Sequence, residues 1–223
     1  MISVILLTHN YAKYLPECLD SIMKNKSPLV GEIIIINDNS KDNTDQIVNE
    51  YESVFPRIRY FKKNFLSLNK SYNFAVSKSK FEFITKIDAD DTMQKNFLHD
   101  FFYELKEKNY DFIYGNINII DKFGNHLSEK KQKKNFINSY IKYPLGSGTI
   151  YKKNIWEKLG GFDENIKFQD DYDFWLKIKK MKNIKIGYLS KQGYNYRIHD
   201  KNMSKNKLKK NLTKIYVFMK NFI

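Results

Sequence analysis

Apolar residues along this chain come in two alternating patterns, unbroken runs and helically spaced stripes. ISVILL (2–7) and EIIIIND (32–38) are continuous runs, the signature of strands buried on both faces of a parallel sheet. After THNYAKY a helix is predicted to begin near Pro16, with Leu15, Leu19, Ile22 and Met23 on one stripe. NSKDNTD supplies turn and capping residues, and Ile47, Val48, Tyr51 and Val54 then mark a second helix. RIRYFK (57–62) reads as a short third strand, and Leu68, Tyr72, Ala75 and Val76 as a third helix before the strand FEFITKI (81–87). A helix over 96–108 carries Phe97, Phe101 and Leu105 and precedes the strand DFIYGNINII. Strand and helix in alternation predict right-handed crossovers and an α/β fold: one Rossmann-like domain with a mostly parallel central sheet flanked by helices.

Composition narrows the class. A chain of 223 residues suits one domain with a small extension, and 42% apolar and 16% aromatic content excludes disorder. The formal charge of +14 favours an anionic partner. Only Arg57, Arg59 and Arg197 are arginines, so no nucleic-acid partner is expected; an AT-rich genome alone would also enrich Lys, Asn and Ile. Cys18 is the single cysteine, excludes an internal disulfide, and falls on an apolar stripe as a small buried residue. No apolar stretch approaches 18 residues and no signal-peptide pattern opens the sequence, so a cytoplasmic location is expected. Residues 201–223 hold seven Lys and no acid, and Leu208, Leu212, Ile215, Met219 and Phe222 fall at 4-3-4-3 spacing. That amphipathic helix either packs on its own domain or lies against an anionic membrane, on the inner face where lipid-linked acceptors reside. EKKQKK (129–134) reads as a solvated loop.

The chemistry concentrates in ITKIDADDTM (84–93), where an apolar run ends in Asp88, Asp90 and Asp91. Ligands of open α/β sheets bind beyond the carboxyl ends of the strands. THN follows the first strand, NDNS the second and DADD the fourth, so Asp38 and the 88–91 acids should meet in one crevice. In extended chain Asp88 and Asp90 would point the same way, roughly 6–7 Å apart. Such acids repel unless a cation sits among them, and a hard divalent ion takes oxygen ligands. The competing reading is that the cluster caps the next helix. Glycine-rich phosphate loops are absent after the first strand, which disfavours a dehydrogenase or P-loop ATPase.

SVILLTHNYAKYLPECLDSI, EIIIINDNSKDNT, FITKIDADD, KLGGFDENIKFQDDYDFWLKI and YNYRIHDKNMS occur in the order seen in family 2 glycosyltransferases, and residues 2–204 resemble that family. The resemblance implies a GT-A domain over 1–200, with a nucleotide-binding half (1–91), an acceptor-binding half (92–200) and the basic tail 201–223. It implies base contacts from Thr8, His9, Asn10 and Asp38. Asn37 stands where the family has a first acid, and as a turn residue otherwise. Asn73 matches a helix position beside the nucleotide and Lys70 lies one turn earlier; both also fit a plain helix surface. Asp88, with Ala89 beside it, would lie near the ribose, and Asp90, Asp88, Asp91 and His199 would surround Mn²⁺ or Mg²⁺. Asp91 fits equally as a helix N-cap. The family's Glu-Asp pair maps to Asp170 and Asp171, with the second acid, Asp171, as the usual base. Asp170 stands where the family has Glu, a departure that leaves the role open between the two, and helix capping is the competing reading for at least one of the acids 170, 171 and 173. Gly160 and Gly161 would stop the helix NIWEKL, and GSGT (146–149) would form a backbone wall for the acceptor.

The implied activity is inverting transfer of a sugar from a nucleotide-sugar donor, UDP-linked, to a glycan or lipid-linked acceptor. A degenerate anion- or glycan-binding protein and a nucleotidyltransferase are the alternatives.

Overall fold

The apolar runs of the first half form four parallel strands: β1 (Ile2–Thr8), β2 (Val30–Asp38), β3 (Ile58–Lys63) and β4 (Phe83–Asp88), in the order β3-β2-β1-β4. In the computed structural model, residues 1–25, 28–132, 134, 139–144, 146–200, 202 and 207–222 are described. Alternate residues of β1 and β2 enter opposite cores. Val4, Leu6, Ile33 and Ile35 pack with α1 (Leu15–Lys24), α2 (Thr44–Val54) and α4 (Phe97–Glu107). Ile5, Leu7, Ile34 and Ile36 pack with α3 (Leu68–Lys78), α5 (Lys153–Leu159) and α6 (Asp170–Lys180). These eight side chains are all buried, each worth about 1.5–3 kcal/mol against exposure, so the runs are continuous because neither sheet face meets water.

Beyond β4 the sheet is mixed. β8 (Thr149–Lys152) inserts antiparallel between β4 and β6 (Phe112–Ile120), β9 (Ile186–Arg197) runs parallel to β6, and the two-residue β5 (Thr92–Met93) closes on β9. The parallel winding read from the sequence therefore holds for the first half, whereas β5 and β8 are too short to leave a periodic trace. β7 (His126–Lys130) extends β6 as an exposed hairpin, so the start of EKKQKK is strand. Gln132 in the same stretch is buried and donates to the Gly115 carbonyl (2.6 Å). α7 (Lys207–Phe222) packs on α6.

Register sets the site. Thr8 pairs with Asn37 and Leu7 with Asp88, so the ends of β1, β2 and β4 lie side by side. Arg197, the last residue of β9, ends level with Ile120 on the same side.

Gly115 makes the β6–β9 join possible: a Cβ there would overlap the Phe101 ring and the Lys191 carbonyl, where the ladder shifts register. Gly115→Ala should lower the urea midpoint by the equivalent of about 1–3 kcal/mol with the slope unchanged. An unaltered midpoint would show that this close approach is not required.

Candidate active site

The acids of 88–91 do not continue the strand. The Asp91 N–H donates to the Asp88 carbonyl (3.0 Å), closing a turn where an extended chain was expected. Asp88, 35% exposed, faces Lys86 Nζ (3.6 Å) and accepts from Ser147 Oγ (3.2 Å). Asp90 meets His199 Nε2 at 2.8 Å. Asp91 is buried and accepts from the Arg197 N–H (2.9 Å). It is no helix cap: β5 follows it directly, and the N-cap position of α4 is filled by Asn96 in a left-handed conformation (φ 66°), without a side-chain cap.

Arg197 ties the turn to three other segments. Its fully buried guanidinium donates from Nε to the Asp90 carbonyl (2.8 Å), from Nη2 to Glu17 on α1 (2.6 Å) and from Nη1 to the Asp121 carbonyl (3.4 Å). It also lies 5.0 Å from the Tyr14 ring centre. The His199 ring stacks on Tyr14 (5.2 Å) and meets the edge of Tyr11 (5.7 Å), and its backbone N–H donates to Asn202 Oδ1 (2.5 Å). Burial pushes the Asp88 and Asp91 carboxyls above the usual range; Asp90 adds to both shifts, and Lys86 opposes them.

Lys86 was not singled out in the sequence. It is buried in β4, and burial opposes its charge, yet Asp88, Asp171 and Asp170 outweigh that and hold the ammonium above its ordinary value. The available signal was a lone Lys inside an apolar strand two residues before an acid, a spacing that puts both on one face.

On the nucleotide side, the expected base reader Asp38 holds a loop. Its carboxylate accepts from the N–H groups of Phe65 (2.7 Å), Leu66 (2.9 Å) and Ser67 (3.0 Å) and from Ser71 Oγ (2.9 Å), which uses about four lone-pair sites. The Asp38 carbonyl accepts from His9 Nδ1 (2.6 Å), and Asn10 Nδ2 lies 3.1 Å from His9 Nε2. Asn10, at φ 59°, takes Ser40 Oγ on its N–H (2.9 Å) and accepts from the Lys41 N–H (2.7 Å), stapling the loop after β1 to the loop after β2. Asn37 accepts from the Ser40 N–H (2.9 Å), the turn role. Thr8 lies between these loops with a buried Oγ1 that has no hydrogen-bond partner. Ala89 buries its methyl in the core shared with α1, and Lys70 is exposed on α3.

Asn73 turns to α5 and the turn that follows it. Its Oδ1 accepts from Trp156 Nε1 (3.0 Å) and the Phe162 N–H (2.9 Å), while Nδ2 donates to the Phe162 carbonyl (2.9 Å). Asn69, one turn earlier, donates to the carbonyls of Asp163 (2.7 Å) and Ile166 (2.8 Å). The pair thus fixes the turn after α5, which Gly160 terminates at φ 70°.

That turn leads into α6, whose first turn carries Asp170, Asp171 and Asp173, a favourable place for negative charge. No side chain caps the helix; Gln169 fills that position in a left-handed conformation (φ 64°). Asp173 pairs with Lys177 (2.7 Å) and accepts from Asn221 of α7 (3.0 Å). Asp171 accepts from the Gly146 N–H (3.0 Å), and its other oxygen is buried without a partner. A Cβ at position 146 would strike that carboxylate, so the glycine is required by contact. Burial, then the charge of Asp171, pushes Asp170 up to about 7, with Lys86 opposing. GSGT is therefore more than a wall. Its consecutive residues Gly146 and Ser147 hydrogen-bond Asp171 of α6 and Asp88 of β4, and so join the two acidic groups. Asp171 and Lys86 line one small cavity with Tyr72, Tyr151 and Trp175. Among the described residues no group of three or more His, Cys, Asp or Glu side chains is close enough to enclose a metal; Asp90 and His199 are a pair in contact.

Known proteins share this plan. The chain is 28% identical over 217 residues to the O-antigen biosynthesis glycosyltransferase WbnJ of Escherichia coli, covering 93% of this chain and 84% of WbnJ. It is 28% identical to the hyaluronan synthase of Pasteurella multocida over 93% of this chain, but spans only 21% of that synthase. The crystal structure of S. aureus TarS 1–349 aligns with a TM-score of 0.71 and 25% identity, covering 88% of this chain and 60% of TarS. TarS 1–349 in complex with UDP-GlcNAc has the same fold, with a TM-score of 0.74 at 24% identity over 92% of this chain and 60% of that one. These neighbours are GT-A enzymes, the fold implied by the motifs. The model of glycosyl transferase family 2 matches residues 3–181, from β1 to just past α6, and the chain belongs to that family.

Proposed function

We propose that this chain is a metal-dependent inverting glycosyltransferase that moves a sugar from a UDP-sugar to a hydroxyl of a glycan or lipid-linked acceptor in surface-polysaccharide synthesis. The observation that carries this reading is the Gly146–Ser147 link, which holds a donor-side acid, Asp88, beside an acceptor-side acid, Asp171. The names of WbnJ and the hyaluronan synthase support the polysaccharide context.

The stapled loops after β1 and β2 receive the nucleotide, with the orphaned Thr8 hydroxyl as an available partner. Asp38 acts through the 65–67 loop that it anchors. Mn²⁺ and Mg²⁺ take oxygen ligands, so the Asp90 carboxylate would hold the ion, and His199 would join it by giving up its 2.8 Å hydrogen bond to Asp90. Bound there, the ion would supply Lewis-acid stabilisation of the nucleoside diphosphate. Asp171 accepts the proton from the acceptor hydroxyl as its oxygen attacks the anomeric carbon. One carbon–oxygen bond forms, the bond to the diphosphate breaks on the opposite face, and the anomeric configuration inverts. Gly146 fixes the Asp171 carboxylate, while Lys86 offsets the charge of the acid pair.

Asp171→Asn keeps the shape and removes the proton acceptor, so UDP binding should survive while transfer falls roughly 10²–10⁴-fold. Asp170→Asn should lose less. Initial rates with the cognate acceptor, and NMR of the product anomer, decide this: a retained anomer, or an active Asp171→Asn with a dead Asp170→Asn, would overturn the assignment.

The pH profile gives an independent check. Asp170 takes up its proton at about 7, so the acid pair gains a proton as pH falls through that value and loses its capacity as base. Transfer should therefore fall on the acid side of about 7 in the wild type, and the inflection should move to lower pH in Asp170→Asn, which relieves the like charge. The same inflection in both proteins would contradict the coupling.

A further inference from the structure

α7 is docked with its apolar stripe outward. The sequence places Leu208, Leu212, Ile215, Met219 and Phe222 on one face, and these are 72, 60, 59, 50 and 44% exposed. At the end of the stripe Phe222 meets the Tyr140 ring (5.3 Å) and Lys180; the opposite face makes the other contacts. Val217 is buried with Ile166, Tyr172 and Leu176. Asn221 donates to Asp173, Lys220 pairs with Asp163, and Lys214 donates to the Ile141 carbonyl (2.9 Å) beneath the rings of Tyr143 and Tyr172. A surface helix of a water-soluble domain has the reverse arrangement. Polar anchors at Lys214, Lys220 and Asn221, with buried Val217 between them, fix this orientation, so the stripe is held out as a surface of its own.

The chemistry around the stripe selects the occupant. The helix carries five Lys and no acid, within a chain of net charge +14. Tyr216 and Phe218 flank the stripe and are 57 and 40% exposed, where aromatic side chains meet an interface. Among the described residues no helix is long and apolar enough to cross a membrane. We infer that α7 lies in the plane of an anionic lipid bilayer, with Leu208, Leu212, Ile215 and Met219 among the acyl chains and the basic surface over the headgroups. Because α7 packs on α6, this attachment brings the helix bearing Asp170 and Asp171 next to the lipid surface.

The test is co-sedimentation of the full chain with vesicles of phosphatidylcholine alone or containing phosphatidylglycerol. Binding to the anionic vesicles should be at least about tenfold tighter and should weaken with added salt. Leu212→Asp combined with Ile215→Asp should abolish it with the thermal midpoint unchanged, because both positions are exposed. Light scattering without lipid covers the other occupant. A dimer dissolved by the same double variant, with no pelleting of the wild type, would assign the stripe to a second copy of the chain and overturn the proposal. So would equal pelleting of wild type and variant.

Discussion

Mutual repulsion of carboxylates is the constraint around which this molecule is arranged. Asp88, Asp90, Asp91, Asp170 and Asp171 gather at the carboxyl edge of one sheet, and two like charges 4 Å apart cost about 4 kcal/mol at an effective dielectric constant of 20. Each acid has its own compensation. Asp91 has the Arg197 N–H, Asp90 has His199, Asp88 has Lys86 and Ser147, and Asp171 has the Gly146 N–H. For Asp170, burial and then the charge of Asp171 prevail over Lys86 and its own backbone N–H, and push it up to about 7. Arg197 does the most: its side chain bonds the acidic turn, α1 and the β6–β7 corner at once, so the end of β9 cannot leave without uncovering the site.

The same logic connects the two halves of the chain. Asp38 orders the loop into α3, and α3 then presents Asn69 and Asn73 to the turn that follows α5. That turn delivers α6 and its acids to the GSGT segment, which reaches back to Asp88. Donor and acceptor sides are thus registered by side-chain to backbone hydrogen bonds, whose geometry is tighter than that of apolar contacts. A site prepared this way spends little ordering entropy when substrates arrive.

How much of this was legible depends on the range of the interaction. β1, β2, β4 and the helices α1 to α4 could be read because burial on two faces or one stripe writes a local period. That the ends of β1, β2 and β4 lie side by side followed from strand-end logic. Lost were short strands such as β5 and β8, whose place is set by long-range pairing, and the turn from Asp88 to Asp91. Asp38 and Asn73 were recognised as special, but their partners lie in loops with no code for contact. Lys86 was overlooked because a buried lysine makes sense only once its acids are placed around it. In α7 the stripe was visible; the face it docks by was not, because one valine and a few polar bonds decide it.

The central claim is that the acidic edge binds a nucleoside diphosphate by means of a cation. Calorimetric titration of UDP into the wild type and Asp90→Asn, each with Mn²⁺ or with EDTA, addresses it directly. The account predicts wild-type affinity at least about tenfold tighter with Mn²⁺, and loss of that difference in Asp90→Asn. Equal affinity of the wild type in Mn²⁺ and in EDTA would contradict it.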